Sequence, residues 1–249
     1  MNQLNIKLNS NIVAGVYSLE EIMKNFGFKR LGIICDVKLQ EQSAYIREII
    51  GSLQEKFTVH AIKYDEPFEP SYQYLDSLML DIREGGLDKT LDAWIGIGGG
   101  SSMDTAKGLA ILCNNPGSSI QYKGFPTQLA KPLPVIAVPS TTGTGSEVVF
   151  NASFIDEDTK TKMGINDVNN YPVVSILDPE IVCSAPRSVL ASSGCDALVH
   201  ALEGFVSKSS NQVTRVFSKK AFHLILQNMP ILLDGKGDIT NWSNMQWAA

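Results

Sequence analysis

The sequence predicts an α/β domain built on a parallel sheet, followed by an all-helical domain. Three observations carry that expectation. Short, β-branched-rich apolar runs alternate with segments of helical spacing as far as residue 177. Strand-like alternation stops after Asp178-Pro179. Two glycine- and hydroxyl-rich loops each stand directly after an apolar run, at the end of a strand where open α/β sheets place their ligands.

The strand candidates are 31–36 (LGIICD), 58–64 (TVHAIKY), 92–97 (DAWIGI) and 133–138 (LPVIAV). Between them, 39–55, 71–85 and 101–113 have helical periodicity, so the arrangement is a parallel sheet wrapped by helices. Residues 147–155 (EVVFNASFI) and 161–165 (TKMGI) read as a hairpin about the polar turn Asp156-Glu157-Asp158, and 172–177 (PVVSIL) as a further strand. Nearly everything from Pro186 onward has helical periodicity, which sets a domain boundary near residue 180 and divides the chain into 1–180 and 181–249. The last helix starts at about Asp238, an N-cap residue, and runs through NWSNMQWAA with no glycine or proline stop. The helical domain is therefore expected to be incomplete here, with Trp242 and Trp247 left as apolar surface.

With 249 residues and 44% hydrophobic content, the chain is long enough for a substantial core and more than one folding unit. A net charge of -5 without clustered Lys and Arg excludes an electrostatic nucleic-acid footprint and leaves small molecules as the expected partners. Apolar runs such as 221–232 are short and interrupted, and the start MNQLNIKLNS lacks a basic-then-apolar signal, so no membrane association and a cytoplasmic location are expected. Cys35, Cys113, Cys183 and Cys195 are scattered without a C-x-x-C pair and read as buried free thiols.

Gly98-Gly99-Gly100-Ser101 follows the strand DAWIGI and opens the helix SSMDTAKGLAIL, where backbone N–H groups and the helix dipole can hold a phosphate. A Walker loop would need Gly-Lys-Ser/Thr, which Asp104 and Lys107 do not supply. The ordinary dinucleotide fingerprint fails too, because the acid ending the first sheet strand, Asp36, precedes the glycines by two strand–helix units. Taken alone, a glycine cluster is also a tight turn. The run Pro139-Ser140-Thr141-Thr142-Gly143-Thr144-Gly145-Ser146-Glu147 follows the next strand, and its alternative reading is a polar loop that caps neighbouring elements. Asp196-Ala-Leu-Val-His200 places a carboxylate and an imidazole on one helix face, either as half of a metal site or as an ordinary i, i+4 pair.

Three stretches, IGIGGGSSMDTAK, VPSTTGTGSEV and SGCDALVHALEGF, make the chain resemble the iron-dependent, or group III, alcohol dehydrogenases in motif order and spacing along essentially its whole length. The resemblance implies an N-terminal dinucleotide-binding domain, an all-helical second domain and an active site in the cleft between them. By that resemblance Gly98, Gly99, Gly100 and Ser101 match the pyrophosphate cradle, with Asp104 counted among the cofactor-binding residues, and Thr141, Thr142 and Ser146 match contacts to the nicotinamide half and its phosphates. Lys162 and Leu177 match positions near the cofactor, Leu177 beside the adenosine. Asp36 matches the acid facing the adenosine ribose, where a carboxylate accepts from both hydroxyls and repels a 2′-phosphate, so NAD is favoured over NADP. Glu69-Pro70 stands where the family often has Asn-Pro.

The resemblance also makes Asp196 and His200 the first two ligands of a divalent ion, iron(II) or alternatively zinc(II), that acts as a Lewis acid on a small alcohol or aldehyde during hydride transfer. The family completes that site with two later histidines. This chain has neither, since His223 reads as core-facing and His60 lies on an early strand, so weak metal retention, poor dinucleotide binding and little turnover are expected of the 249-residue chain. The alternatives are a glycerol-dehydrogenase-like zinc enzyme, a dehydroquinate-synthase-like lyase, and a noncatalytic nucleotide-binding remnant. The family also implies a homo-oligomer.

Overall fold

The computed structural model describes residues 10–14, 19–66 and 69–249. The chain runs β1 (Asn11–Ala14), α1 (Leu19–Phe26), β2 (Arg30–Asp36), α2 (Val37–Gln42), α3 (Ala44–Lys56), β3 (Thr58–Tyr64), α4 (Tyr72–Glu84), β4 (Ala93–Gly98) and α5 (Gly100–Asn114). It continues through β5 (Val135–Pro139), β6 (Asn151–Asp156), β7 (Thr161–Asn166) and β8 (Val174–Leu177) to α6 (Pro179–Val182), α7 (Arg187–Val206), α8 (Gln212–Leu233) and α9 (Ile239–Ala248).

Six strands form one parallel sheet in the order β1-β8-β5-β4-β2-β3, and β6 and β7 form a separate antiparallel hairpin. Every residue of β4 and β5 is buried, as it must be when helices cover both faces of a parallel sheet. On one face Ile33, Ile95 and Ile176 pack with Met23 of α1 and Ile46 and Leu53 of α3. On the other, Ile34, Trp94 and Phe154 pack with Leu75 and Met79 of α4 and Leu109 and Ile111 of α5. A third core, with Leu190, Ala197, Ile225, Leu232 and Met245, joins α7, α8 and α9.

The order of the strands decides where a ligand can sit. From β2 the chain moves outward to β3 and then returns to β4 on the opposite side of β2. The carboxyl ends of β2 and β4, at Asp36 and Gly98, therefore flank a topological switch point, the crevice that open α/β sheets use for binding.

Several expectations need correction. The helix expected at 39–55 is two helices, because Ser43 takes an extended backbone and its hydroxyl accepts from the Ile46 amide, starting α3 afresh. The first hairpin strand begins at Asn151 rather than 147, since Ser146–Val148 forms a 3₁₀ turn that carries Ser146 and Glu147 into the interior. His223 is exposed, with Nδ1 2.7 Å from the Lys219 carbonyl one turn back. Of the cysteines, Cys35 is buried and its thiol is pushed up to about 12 by desolvation, whereas Cys183 and Cys195 are exposed. Trp242 packs against the third core, while Trp247 is exposed.

Among the described residues the elements after Asp178 are all helices. Asp238 does start the last one: its carboxylate accepts from the Thr240 and Asn241 amides, and Asn241 returns a bond to its backbone in a capping box. One helix among the described residues, α7, is long and apolar enough to cross a membrane by length and composition. That helix carries Asp196 and His200 at mid-length and packs along α8 through Leu190 and Ala197, while Val199, Leu202, Phe205 and Val206 are exposed.

Candidate active site

Gly98 ends β4 with φ +148, a conformation that side-chain-bearing residues rarely adopt, and a Cβ there would lie 2.8 Å from the Cβ of Ser102. The turn releases α5 at Gly100, with Gly99 as N-cap and no side chain capping the first turn. The opening N–H groups of α5 are thus left for a ligand, and the helix dipole favours an anion there. The side chain of Asp36 faces this turn from the end of β2, and its Oδ1 accepts from the Leu39 amide at 2.9 Å to start α2.

The loop from Ser140 to Ser146 is held from two sides. Against α5, Thr141 meets Gly99 and Thr144 meets Gly100, so that any Cβ on Gly100 would come within 2.9 Å of the threonine methyl. Against α7, Gly143 lies so close that an added Cβ would sit 2.4 Å from the Ser193 carbonyl. The absence of a side chain at Gly143 is what lets the helical region close onto the sheet edge. Thr141 Oγ1, Thr142 Oγ1 and Ser193 Oγ are buried in this seam with no hydrogen-bond partner, an arrangement that asks for a polar ligand.

Beneath the loop lies a buried ionic cluster. Lys107, on α5, donates to the Ser146 carbonyl at 2.6 Å, to Ser146 Oγ at 2.9 Å and to the Asn151 carbonyl at 2.9 Å, with Asp104 Oδ1 at 3.4 Å. The three closer oxygens match the three N–H groups of an ammonium, and the Asp104 carboxylate stands farther off as its counter-charge. Burial pulls its pKa below the usual lysine range, while the Asp104 and Glu147 carboxylates oppose that fall. Asp104 itself accepts from Ser146 Oγ at 2.6 Å and from the Ser153 amide at 3.0 Å. Burial raises the carboxyl of Glu147 above its ordinary range, and Lys107 pulls the other way.

Asp196 and His200 stand one turn apart on α7, roughly half-exposed, with Nε2 3.6 Å from Oδ1. His200 Nδ1 lies 3.3 Å from the Gly143 carbonyl, an acceptor for a proton on Nδ1, and Nε2 is the ring nitrogen on the side of Asp196. Two ligands of one ion at bond lengths of about 2.1 Å stand about 3.0–3.5 Å apart, so the pair fits as two of an ion's donors. Among the described residues no third His, Cys, Asp or Glu joins them, and the pair alone does not close a coordination shell.

These parts line two connected hollows. A cleft of about 640 Å³ runs past Asp36, Gly99, Ser101 and Thr141 to Pro186 and Val189. A second hollow of about 330 Å³ is lined by Gly100, Ser101, Asp104, Thr144, Ser146, Lys162, Asp196 and His200, with Glu69 and Ser101 on both. The candidate residues thus gather at the carboxyl end of the sheet, although Gly98 and the buried Thr142 line neither hollow and two further residues stand apart. Leu177 is buried at the end of β8, opposite Ala14, and lines neither hollow. Asp104 borders the smaller hollow, but its oxygens are engaged by Ser146, Ser153 and Lys107, so it positions the loop.

Lys107 and Glu147 are buried charges at the base of this loop to which the sequence motifs assign no role. The available signal was a lysine three residues after Asp104 in an otherwise apolar helix, a spacing that puts both on one face.

Residues 9–179 match the family described as iron-containing alcohol dehydrogenase, and residues 190–249 match the C-terminal part of the Fe-containing alcohol dehydrogenase family. The chain is 30% identical over 226 residues to alcohol dehydrogenase 4 of Schizosaccharomyces pombe, covering 91% of this chain and 52% of that protein. It is 37% identical over 157 residues to the NAD-dependent methanol dehydrogenase of Bacillus methanolicus, 63% of this chain and 41% of the other. Among solved structures, an alcohol dehydrogenase from Oenococcus oeni superposes with TM-score 0.88 at 26% identity, and a sulfoacetaldehyde reductase from Bifidobacterium kashiwanohense in complex with NAD+ with TM-score 0.87 at 25%. Both superpositions cover 99% of this chain, and 64% and 65% of the respective structures. The chain spans about half the length of the curated relatives it matches.

Proposed function

The chain belongs to the iron-containing alcohol dehydrogenase family, and from that premise we propose that it serves an NAD-dependent oxidoreductase interconverting a small alcohol and its aldehyde or ketone. The observation that carries the reading is the shared wall of the two hollows: an uncapped helix N-terminus with glycines on one side, and the Asp196–His200 donor pair on the other. A dinucleotide laid across them puts its pyrophosphate at the start of α5 and its nicotinamide toward α7. Relatives named for methanol and 1,3-propanediol support a small, uncharged alcohol as substrate.

When bound, NAD supplies the hydride acceptor, and an ion held by Asp196 and His200 supplies Lewis acidity for the substrate oxygen. The chain's own work is binding and orientation. The first N–H groups of α5 neutralise phosphate charge; Thr141 and Thr142 offer hydroxyls that have no internal partner; and the Gly143 carbonyl offers an acceptor for a proton on His200 Nδ1. Holding two reacting carbons in contact is itself a large rate factor. Asp36 supports NAD over NADP: its side chain borders the larger cleft, where a 2′-phosphate would meet a second anion.

Fluorescence titration with NADH and NADPH, followed by NADH-absorbance assays with short primary alcohols and added Fe(II) or Zn(II), tests this reading. Saturable but weak NADH binding, still weaker NADPH binding and a low, metal-dependent turnover are the expected results. Failure of NADH to bind overturns the reading. A second reading, dinucleotide binding without turnover, draws on the two-donor set among the described residues, and NADH binding with no turnover at any metal concentration selects it.

A further inference from the structure

Glu69 and Lys162 form an ion pair across the junction of the two hollows, with each side chain about half-exposed. The pair has structural support on both sides. Pro70 O, next to Glu69, accepts from the Ile155 amide at 2.9 Å, and Lys162 lies opposite Ile155 in the β6–β7 ladder. The two backbones are therefore held in register, and the charges meet because the fold brings them together, not by chance of two long side chains.

The electrostatics around the pair are lopsided. Lys162 is the lysine lining the smaller hollow, against Glu69, Asp104 and Asp196; the larger cleft is bordered by Asp36, Asp65, Glu66 and Glu69 against Lys38. Asp104 is already compensated by Lys107. A dinucleotide entering with two phosphate charges thus meets an acidic approach, and the cation beside the α5 N-terminus is already engaged by Glu69.

We propose that Glu69 is an affinity-setting residue: its carboxylate competes with the phosphates of a dinucleotide for Lys162, so cofactor binding requires exchange of one anion for another. The assignment rests on the cleft being a dinucleotide site. The ion pair engages Lys162 in the free protein, and an entering pyrophosphate would take Lys162 from it. A neutral residue at position 69 leaves Lys162 ready for the cofactor.

The test is NADH titration by fluorescence, at low and high ionic strength, of the unaltered chain, Glu69→Gln, Glu69→Asn and Lys162→Met, with thermal melts to show that each is folded. Because the pair is solvent-exposed, both Glu69 variants are expected to melt as the unaltered chain does and to bind NADH tighter by about threefold at low salt, with the gain shrinking as salt screens the charges. Lys162→Met is expected to weaken binding. Saturable binding by the unaltered chain with no gain, or a loss, in both Glu69 variants overturns the role of Glu69 and leaves the cleft assignment standing. No saturable NADH binding by the unaltered chain or either Glu69 variant overturns both.

Discussion

Lys107 is the side chain on which the geometry of the Ser140–Ser146 loop converges, tying α5 to Ser146 and to β6 by one buried ammonium. Removing a partner from a buried ionic cluster leaves uncompensated charge, so Lys107→Met is expected to lower stability by about 3 kcal/mol, read by urea unfolding. Lys107→Arg should not restore it, because a planar guanidinium cannot direct its donors as the compact ammonium does. Glu147 gives a pH signature of known sign. Its pKa is raised by burial, so the folded state holds the proton more tightly than the unfolded chain; the associated stability is present below the ordinary glutamate value of 4.5 and is lost as pH rises toward the folded pKa. Melting of Glu147→Gln against the unaltered chain should therefore favour the variant progressively as pH increases from about 4 to about 8, and a pH-independent difference would exclude this role.

At the scale of elements, the loop Ser140–Ser146 is the joint of the molecule, since α5 and α7 both close on it. The β4–α5 turn depends on Gly98, where an added methyl meets Ser102 and the positive φ is strained for any other residue. Gly98→Ala is expected to cost about 1–3 kcal/mol of stability and to weaken NADH binding by about tenfold or more, as the first N–H groups of α5 move off their aim. Parallel measurement of the melt and the titration separates the two effects. Helices α8 and α9 each start at a capping box, on Asn211 and on Asp238, the second of which the sequence also marks.

For the whole molecule, the sheet places the glycine turn before α5 and the helical region places Asp196 and His200, and the cleft exists because the two meet. The donor pair makes a prediction for metal binding. Calorimetric titration with Zn(II) or Fe(II) should show weak binding to the described donors, abolished by either Asp196→Ala or His200→Ala, while NADH affinity and melting temperature stay unchanged on chelation. A shift of the melting temperature by chelator would mean that the ion also holds the fold together. Asp196 and His200 sit on a helix already packed by Leu190, Ala197 and Ala201, which is why neither substitution is expected to disturb folding.

Much of this architecture is legible along the chain, because local rules govern it. Buried strands such as AWIGIG read as unbroken apolar runs, the glycines of the β4–α5 turn mark a backbone that no other residue fits, and Asp196 and His200 announce a shared face by their spacing. What the linear order could not supply is what depends on contacts between distant segments. Lys107 and Glu147 become interior charges because β6 folds over α5, and Glu69 finds Lys162 across 93 positions of sequence. Sequence by itself determined the sheet, the glycine turn and the pairing of Asp196 with His200, since propensity, patterning and helical period act over a few residues. Tertiary structure alone decided which charges are compensated and which hydroxyls are left for a ligand, since Coulomb interactions and burial depend on distance in space.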